Sequence, residues 1–474
     1  MSRATTVLLI IALWAALYLP FLGSLEIRGE EGKRVMPAVQ MLESGDYLVP
    51  RLGAYPYLNK PPLVNWLVAA MFRVSGIRNE WTARLPSALF VLLVALVFVA
   101  VPRSRLGTGG SLAAAVSWLA TLELVAKGRT IETDSINASF FALALISWLT
   151  IGNGNRPAWI KFTIPWFFLG LGCLTKGPGL LLFFYCVVLA VAWRTGRLRE
   201  LLQPAHWAGL VFMLLIFSSW AVPFFFKVNF SSLGQSWSHE FLAILFGEKG
   251  RSENWALNFP RAIAYFLPCV LLLPFVRFHK IDDSSERETA RGLLLGSVVP
   301  FVVVLLLPGS VPRYVLPLAA PLSWLVGLTS ASRAFDERIG NFHFPRTLAR
   351  SAVAVVVVAE VLVFSVRAAS EARTHHVLKP AAAQINAAIS DHEPVYAIGF
   401  RYEPYLFYLH APVCYLSSLD ELSRAARFFL IPSKDLLKLQ SSARWSSLQP
   451  QLLARTNLFR SNDTMLFEVT NPNQ

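Results

Sequence analysis

Charge is what this sequence has least of. Only 15% of its 474 residues are Asp, Glu, Lys or Arg, where a soluble domain carries about a quarter. Hydrophobic residues make up 55% and the mean hydropathy is +0.50, which excludes an ordinary water-soluble globule. Cysteine is scarce as well. Cys173, Cys186 and Cys269 lie in apolar runs and Cys414 stands alone near the end, a spacing that fits neither a disulfide framework nor a zinc site. The short alternating segments of a membrane β-barrel are missing. Internal repeats and low-complexity tracts are missing too. No small-x-small cleavage site follows the first apolar run, TVLLIIALWAALYLPFLG, so that run reads as an uncleaved anchor.

What the chain has instead is long apolar runs. Several approach the roughly 18 to 20 residues needed to cross a bilayer core of about 30 Å. In lipid the backbone must pair within its own segment, so these runs are helices. About eleven spans are expected, at 5–23, 82–101, 109–126, 134–151, 159–175, 178–193, 206–226, 260–277, 292–308, 313–329 and 351–368. The segment 62–75 is too short to span and reads as interfacial or re-entrant. The tail, 370–474, changes character. VYAIGF, ARFFLIP and MLFEVT read as strands, with KPAAAQINAAIS and SKDLLKLQSS as helices, which predicts a small α/β domain.

The net charge of +14 is explained by basic loops on one side, not by nucleic-acid binding. With the N-terminus cytoplasmic, PRSRLGT, GNGNRP, RTGRLRE and SRAFDERIGNFHFPRTLAR all fall on the inner side with a basic excess, and the fifth inner loop is mixed. Residues 24–81 and the tail then lie outside. The polar segments collect on that same outer side: RGEEGKR, YPYLNKPP, KGRTIETD, TKGPG, GEKGRSENW and GSVPRY.

Each segment has two readings. Glu30 and Glu31, beside Lys33 and Arg34, form either a carboxylate held ionised for base catalysis or a solvated cluster opening a helix. Pro61 and Pro62 present Lys60 at a defined place, either for a phosphate or simply as a snorkelling lysine. Lys176 in TKGPG carries the same pair of readings. Arg129 and Asp134 flank the start of a span, where Asp134 fits a helix cap as well as a site. His239 with Glu240 is too small a set for a zinc site. Arg251 suits an anion ligand, and Tyr314 belongs to the GSVPRY segment. One or two carboxylates and several cations at a membrane face suit a reaction whose leaving group is a lipid phosphate.

In order and wording these segments resemble the polytopic glycosyltransferases of the GT-C class, the aminoarabinose (lipid A) transferases and the protein O-mannosyltransferases among them. EEGKR (30–34), MLESGDYLVP (41–50) and YLNKPPL (57–63) correspond to that family's first external loop, and RLPSAL, GRTIETD, LTKGPGLLL and PRYVLPLAAP follow in family order. The resemblance implies an all-α polytopic enzyme of the inner membrane, a transmembrane catalytic part over 1–369 with its first external loop at about 24–81, and a small extracytoplasmic domain over 370–474. It implies an undecaprenyl-phosphate-type sugar donor and an inverting transfer to a glycolipid, glycan or protein. Glu30 would be the base, with Glu31 and Asp134 in support. Lys60, Lys176, Arg251 and Arg129 would meet the donor phosphate, and Tyr57, Asn59, His239 and Tyr314 would line the pocket. Two positions depart from the family: Glu30 replaces the usual aspartate, and Asn59 replaces a glutamate that in relatives can bind a divalent metal with a later histidine. A transporter or flippase, or a non-catalytic envelope scaffold, is the alternative reading; midplane ionisable residues and paired half-helices would favour transport.

Overall fold

In the computed structural model the chain is described over residues 2–101, 103–151, 157–228, 238–239, 242–247, 255–331, 338–339, 342–343, 346–374, 377–389, 393–400, 402–423, 425–456 and 463–469. It divides into two compact units. One comprises Met1–Leu22, Leu58–Val64 and Arg84–Val366; the other comprises Gly23–Tyr57, Asn65–Ala83 and Arg367–Gln474.

The first unit is built of helices. Among the described residues, five are long and apolar enough to cross a membrane: Glu80–Ala100, Thr133–Ile151, Pro204–Lys227, Ser284–Leu306 and Pro312–Ala331. The pair Arg105–Leu119 and Leu122–Gly128, bent by 61°, forms either a broken sixth span or a re-entrant segment. The apolar helices Arg3–Tyr18 and Leu180–Arg194 are shorter. Helices stand at most of the eleven positions expected from run length, but among the described residues at most six are long and apolar enough to cross, the expected span 109–126 is bent, and another is interrupted. Residues 260–277 do not form a single span, because Asn258–Tyr265 gives way to a 3-10 helix at Cys269–Phe275. Pro268 and Pro274 fall in that stretch, and each removes a backbone donor and clashes with the preceding turn.

Small residues let these helices approach closely. A Cβ on Gly292 would lie 2.6 Å from Val191 Cα, and one on Gly296 would lie 2.5 Å from Val187 Cα. Four residues apart on one helix, the two glycines form the small-residue seam that close helix packing in lipid requires. Some of the large buried side chains satisfy their polar atoms across helices. Trp14 Nε1 donates to Ala88 O at 2.8 Å, Trp118 Nε1 to Val91 O at 3.0 Å, and Tyr18 Oη to Leu119 O at 2.9 Å.

The second unit joins the first long loop to the tail. Gly32–Ser44 is a helix ended by Gly45 at φ +72°, followed by a short hairpin pairing Arg51–Leu52 with Tyr55–Pro56. The tail supplies a five-stranded sheet in the order Val413–Leu416, Val395–Ile398, Phe428–Pro432, Thr464–Val469, Pro450–Thr456. The first three strands run parallel and the last two pair antiparallel. Phe429, Ile431, Phe467 and Leu448 are among its buried core, with Trp445 packed against them. Three strands fall on the segments read as strands. The outer two were not foreseen, because edge strands bury too little to show a pattern.

The loop is fastened to the tail by polar bonds. The Glu26 carboxylate accepts from the backbone N–H groups of Val377, Leu378 and Lys379 at 2.8 to 3.0 Å. It thereby satisfies the free donors at the start of the helix Leu378–Ala388. Glu80 pairs with Lys379 Nζ at 2.6 Å. The sequence reading assigned 24–81 to the membrane part; most of it is instead in one compact unit with the tail.

Candidate functional site

Two clusters gather charged residues that the sequence singled out, one in each unit. In the helical unit, Thr133–Ile151 and Ala158–Lys176 pack side by side. The first turn of one therefore lies beside the last turn of the other, where the helix dipoles favour an anion and a cation respectively. Asp134 sits in that first turn, buried, and forms an ion pair with Lys176. Arg313 Nε, from the 3-10 helix Pro312–Leu318, lies 3.6 Å from the other Asp134 oxygen. Lys176 Nζ also lies over the Tyr314 ring, 4.6 Å from its centre. Asp134 is thus inside its helix, not the residue before it, and its carboxylate faces cations from two other elements. One helical turn further on, Thr175 Oγ1 donates to Asn137 Oδ1 at 3.0 Å and fixes the register. Gly177, at φ +91°, then turns the chain out of the helix in a conformation that suits glycine.

Arg129 lies in the same unit with its donors committed. Its guanidinium binds Leu17 O at 2.7 Å and also Pro20 O, fastening the end of the first helix. Lys60 is half-buried and Asn59 exposed, in the short segment Leu58–Val64 with Pro61 and Pro62 buried behind them. His239 is exposed. Arg251 and Glu240 lie outside the described residues.

In the second unit Glu30 and Glu31 form a 3-10 turn that opens the helix Gly32–Ser44. Glu31 is buried, whereas the Glu30 side chain is 44% exposed. Lys33 Nζ lies 2.6 Å from one Glu30 oxygen and Arg34 Nη2 lies 3.9 Å from the other. Arg34 is buried; it donates to Tyr57 Oη at 3.0 Å, and its Nε finds no hydrogen-bond partner among the described residues. Asn65 Nδ2 donates to Arg34 O at 2.8 Å and pins the backbone there. Arg34 and Tyr57 form a contact the sequence did not announce, since 23 residues separate them.

The expected residues therefore fall into two groups. Asp134, Lys176 and Tyr314 meet in one cluster, and Glu30, Glu31 and Tyr57 belong to the other. Arg313 was not singled out from sequence, and Arg34 was named only as a neighbour of the acidic pair; both stood within quoted motifs, but nothing in their spacing named their partners. Among the described residues no three His, Cys, Asp or Glu side chains gather as a metal site.

Comparison with known proteins agrees with this architecture. Residues 59–222 match the family model of dolichyl-phosphate-mannose-protein mannosyltransferases. The undecaprenyl phosphate-alpha-4-amino-4-deoxy-L-arabinose arabinosyl transferase of Pseudomonas savastanoi pv. phaseolicola is 26% identical over 333 residues, 66% of this chain and 60% of that protein. The enzyme of the same name from Erwinia tasmaniensis is 27% identical over 68% of this chain and 59% of its own length. The chain spans about three fifths of the curated relatives it matches. Among solved structures, ArnT from Cupriavidus metallidurans bound to undecaprenyl phosphate superposes with a TM-score of 0.72 at 18% identity, covering 98% of this chain and 97% of that one. The archaeal oligosaccharyltransferase AglB from Archaeoglobus fulgidus matches at a TM-score of 0.51, 10% identity and coverage of 92% and 70%. The chain resembles these membrane glycosyltransferases in sequence and shares their fold.

Proposed function

We propose that this chain, which has the fold of the GT-C membrane transferases, moves a sugar from a polyprenyl-phosphate donor to an acceptor outside the cytoplasmic membrane, with inversion. The observation that carries the reading is the near-complete structural match to a transferase solved with undecaprenyl phosphate. Two charged clusters, built from residue types that the reaction needs, support it.

In this reading Glu30 takes the proton from the acceptor hydroxyl. The acceptor oxygen forms a bond to the anomeric carbon as the bond from that carbon to the phosphate oxygen breaks. The electron pair leaves with the polyprenyl phosphate. Lysine and arginine then stabilise the charge that grows there, usually a large catalytic contribution. Lys60, Lys176 and Arg251 are the candidates for that task, and Arg313 joins them through the Asp134 pair; Arg129, expected with them, instead binds backbone carbonyls at the end of the first helix. Asp134 holds Lys176 and Arg313 in place. Asn59 is a neutral amide where relatives carry a glutamate, so the phosphate charge is met here by side-chain cations. A tight divalent-metal site is a finer expectation that the neutral Asn59 disfavours.

The charge of the loops supports an orientation with the N-terminus cytoplasmic and the tail, 370–474, as an extracytoplasmic α/β domain. An inner-membrane location follows from the same reading. Acceptors of the class include a lipid A-like glycolipid, a glycan or a protein.

The test is donor use in proteoliposomes. Undecaprenyl-phosphate 4-amino-4-deoxy-L-arabinose and a panel of other polyprenyl-phosphate sugars would be offered to wild type, Glu30→Gln and Lys60→Ala. The reading expects wild type to bind and turn over at least one donor. Glu30→Gln should bind it but lose at least 100-fold in kcat, and Lys60→Ala should raise donor KM. Equal turnover by all three proteins would remove these residues from the reaction. Binding of no donor would favour a transporter or scaffold.

A further inference from the structure

The turn that carries Glu30 is held from the tail side of its own unit. Gly29 stands at φ +54°, so its carbonyl points where a right-handed turn would not send it. Tyr402 Oη donates to that carbonyl. The Tyr402 ring covers Gly32 so closely that a Cβ there would lie 2.6 Å from Oη. Just upstream, Ile27 N donates to Tyr408 Oη at 2.7 Å, and Tyr408 in turn donates to Glu80 at 3.1 Å. Arg28 pairs with Glu371. Gly29 is the residue before Glu30, and Gly32 follows the two acids. The four-residue stretch is therefore gripped at both ends by one tyrosine.

We propose that Tyr402 is a positioning residue for Glu30: its hydroxyl on Gly29 O and its ring on Gly32 fix the direction in which the Glu30 carboxylate leaves the turn. This rests on Glu30 being the carboxylate of the reaction. The carboxylate keeps one oxygen on Lys33 and the other toward Arg34 only while the turn holds its shape. Burial pushes the Tyr402 phenol above its ordinary value of 10.0, and the neighbouring Glu30 and Glu31 charges push it the same way. Tyr402 therefore keeps its proton and remains a donor across the working pH range. A freely exposed glutamate on a long loop would sample many directions, and a misdirected base is inefficient.

The experiment is the pH profile of kcat for full-length Tyr402→Phe in proteoliposomes, with a polyprenyl-phosphate sugar that wild type turns over. Phenylalanine keeps the ring and deletes the bond. The expected result is about a tenfold fall in kcat, or roughly 1.4 kcal/mol, with donor KM within about twofold. The acid limb should move to higher pH, because a loosened turn weakens the hold of Lys33 and Arg34 on the carboxylate. Gly32→Ala pushes on the same ring from the other side and should shift the limb in the same direction, even should Tyr402→Phe fold poorly. An unchanged kcat and limb would overturn the proposal, and so would a lower kcat with an unmoved limb. Glu30→Gln run in parallel separates the two claims. If it is inactive while Tyr402→Phe behaves as wild type, only the positioning role falls. If it matches wild type, the assignment of Glu30 falls and takes this role with it.

Discussion

At the scale of single residues, the outcome turns on where each charge finds its partner. Asp134 had two readings in sequence, helix cap or site residue, and its place inside the helix, paired with Lys176 and Arg313, sets the cap reading aside. Asp134 is buried, so removing it leaves two cations facing each other without compensation. Asp134→Ala should lower the stability of the full chain by roughly 3 kcal/mol. Replacing Lys176 by Met as well should recover part of that loss. Thermal unfolding in detergent checks this, and a wild-type midpoint for the single variant would mean the pair contributes nothing. Much of this cluster was legible. Lys176 and Asp134 stand in short polar words between apolar runs, where a charge is conspicuous. Their mutual contact was not legible, because the two residues are 42 apart and sit on different helices. Tyr402 was harder still. It sits in FRYEPYLFYLH, an aromatic stretch that sequence could assign to carbohydrate contact or to packing. The structure gives it a packing role, with Tyr405, Leu406 and Phe407 buried and Tyr402 and Tyr408 bonded to the first loop.

Elements were read with uneven success for physical reasons. Helices in lipid must satisfy their own backbone, so run length alone found most of them. It failed at 260–277, where hydropathy is blind to the prolines that break the helix. In the tail the central strands showed their apolar pattern, while the outer strands Val413–Leu416 and Pro450–Thr456 are only partly buried. Capping across units of sequence was invisible: Glu26 serves a helix 352 residues away. The long helix Arg346–Thr374 ends in a similar long-range contact, with Glu371 between Arg367 and Arg28. Burial pushes the Glu371 carboxyl up, but hydrogen bonds and charge from the two guanidiniums outweigh it. They hold the group below its ordinary value of 4.5. A depressed carboxylate stabilises the fold above its unfolded value and loses that contribution as pH falls through the folded one. Glu371→Gln should therefore lower the unfolding midpoint at pH 7, and its difference from wild type should shrink as pH falls below the ordinary value of 4.5 and vanish once pH passes below the depressed folded value. A difference that persists unchanged at low pH would mean the ion pair is not its source.

At the scale of the whole molecule, the chain combines a helical unit with a second unit in which the first long loop and the tail are one body. Sequence order suggested that the loop belonged with the helices it connects. Glu26, Glu80, Tyr402 and Tyr408 fasten it instead to a distant tail, with Glu26 reaching a residue 352 positions away. The proposed sugar transfer would draw on a carboxylate on a turn held by the tail and on cations at the ends of helices. The most direct test is to follow both products at once in proteoliposomes supplied with a polyprenyl-phosphate sugar and a candidate acceptor. The account predicts that wild type releases free polyprenyl phosphate in step with glycosylated acceptor, with the anomeric configuration inverted, and that Glu30→Gln releases neither. Movement of the intact donor across the bilayer with no polyprenyl phosphate released would contradict it.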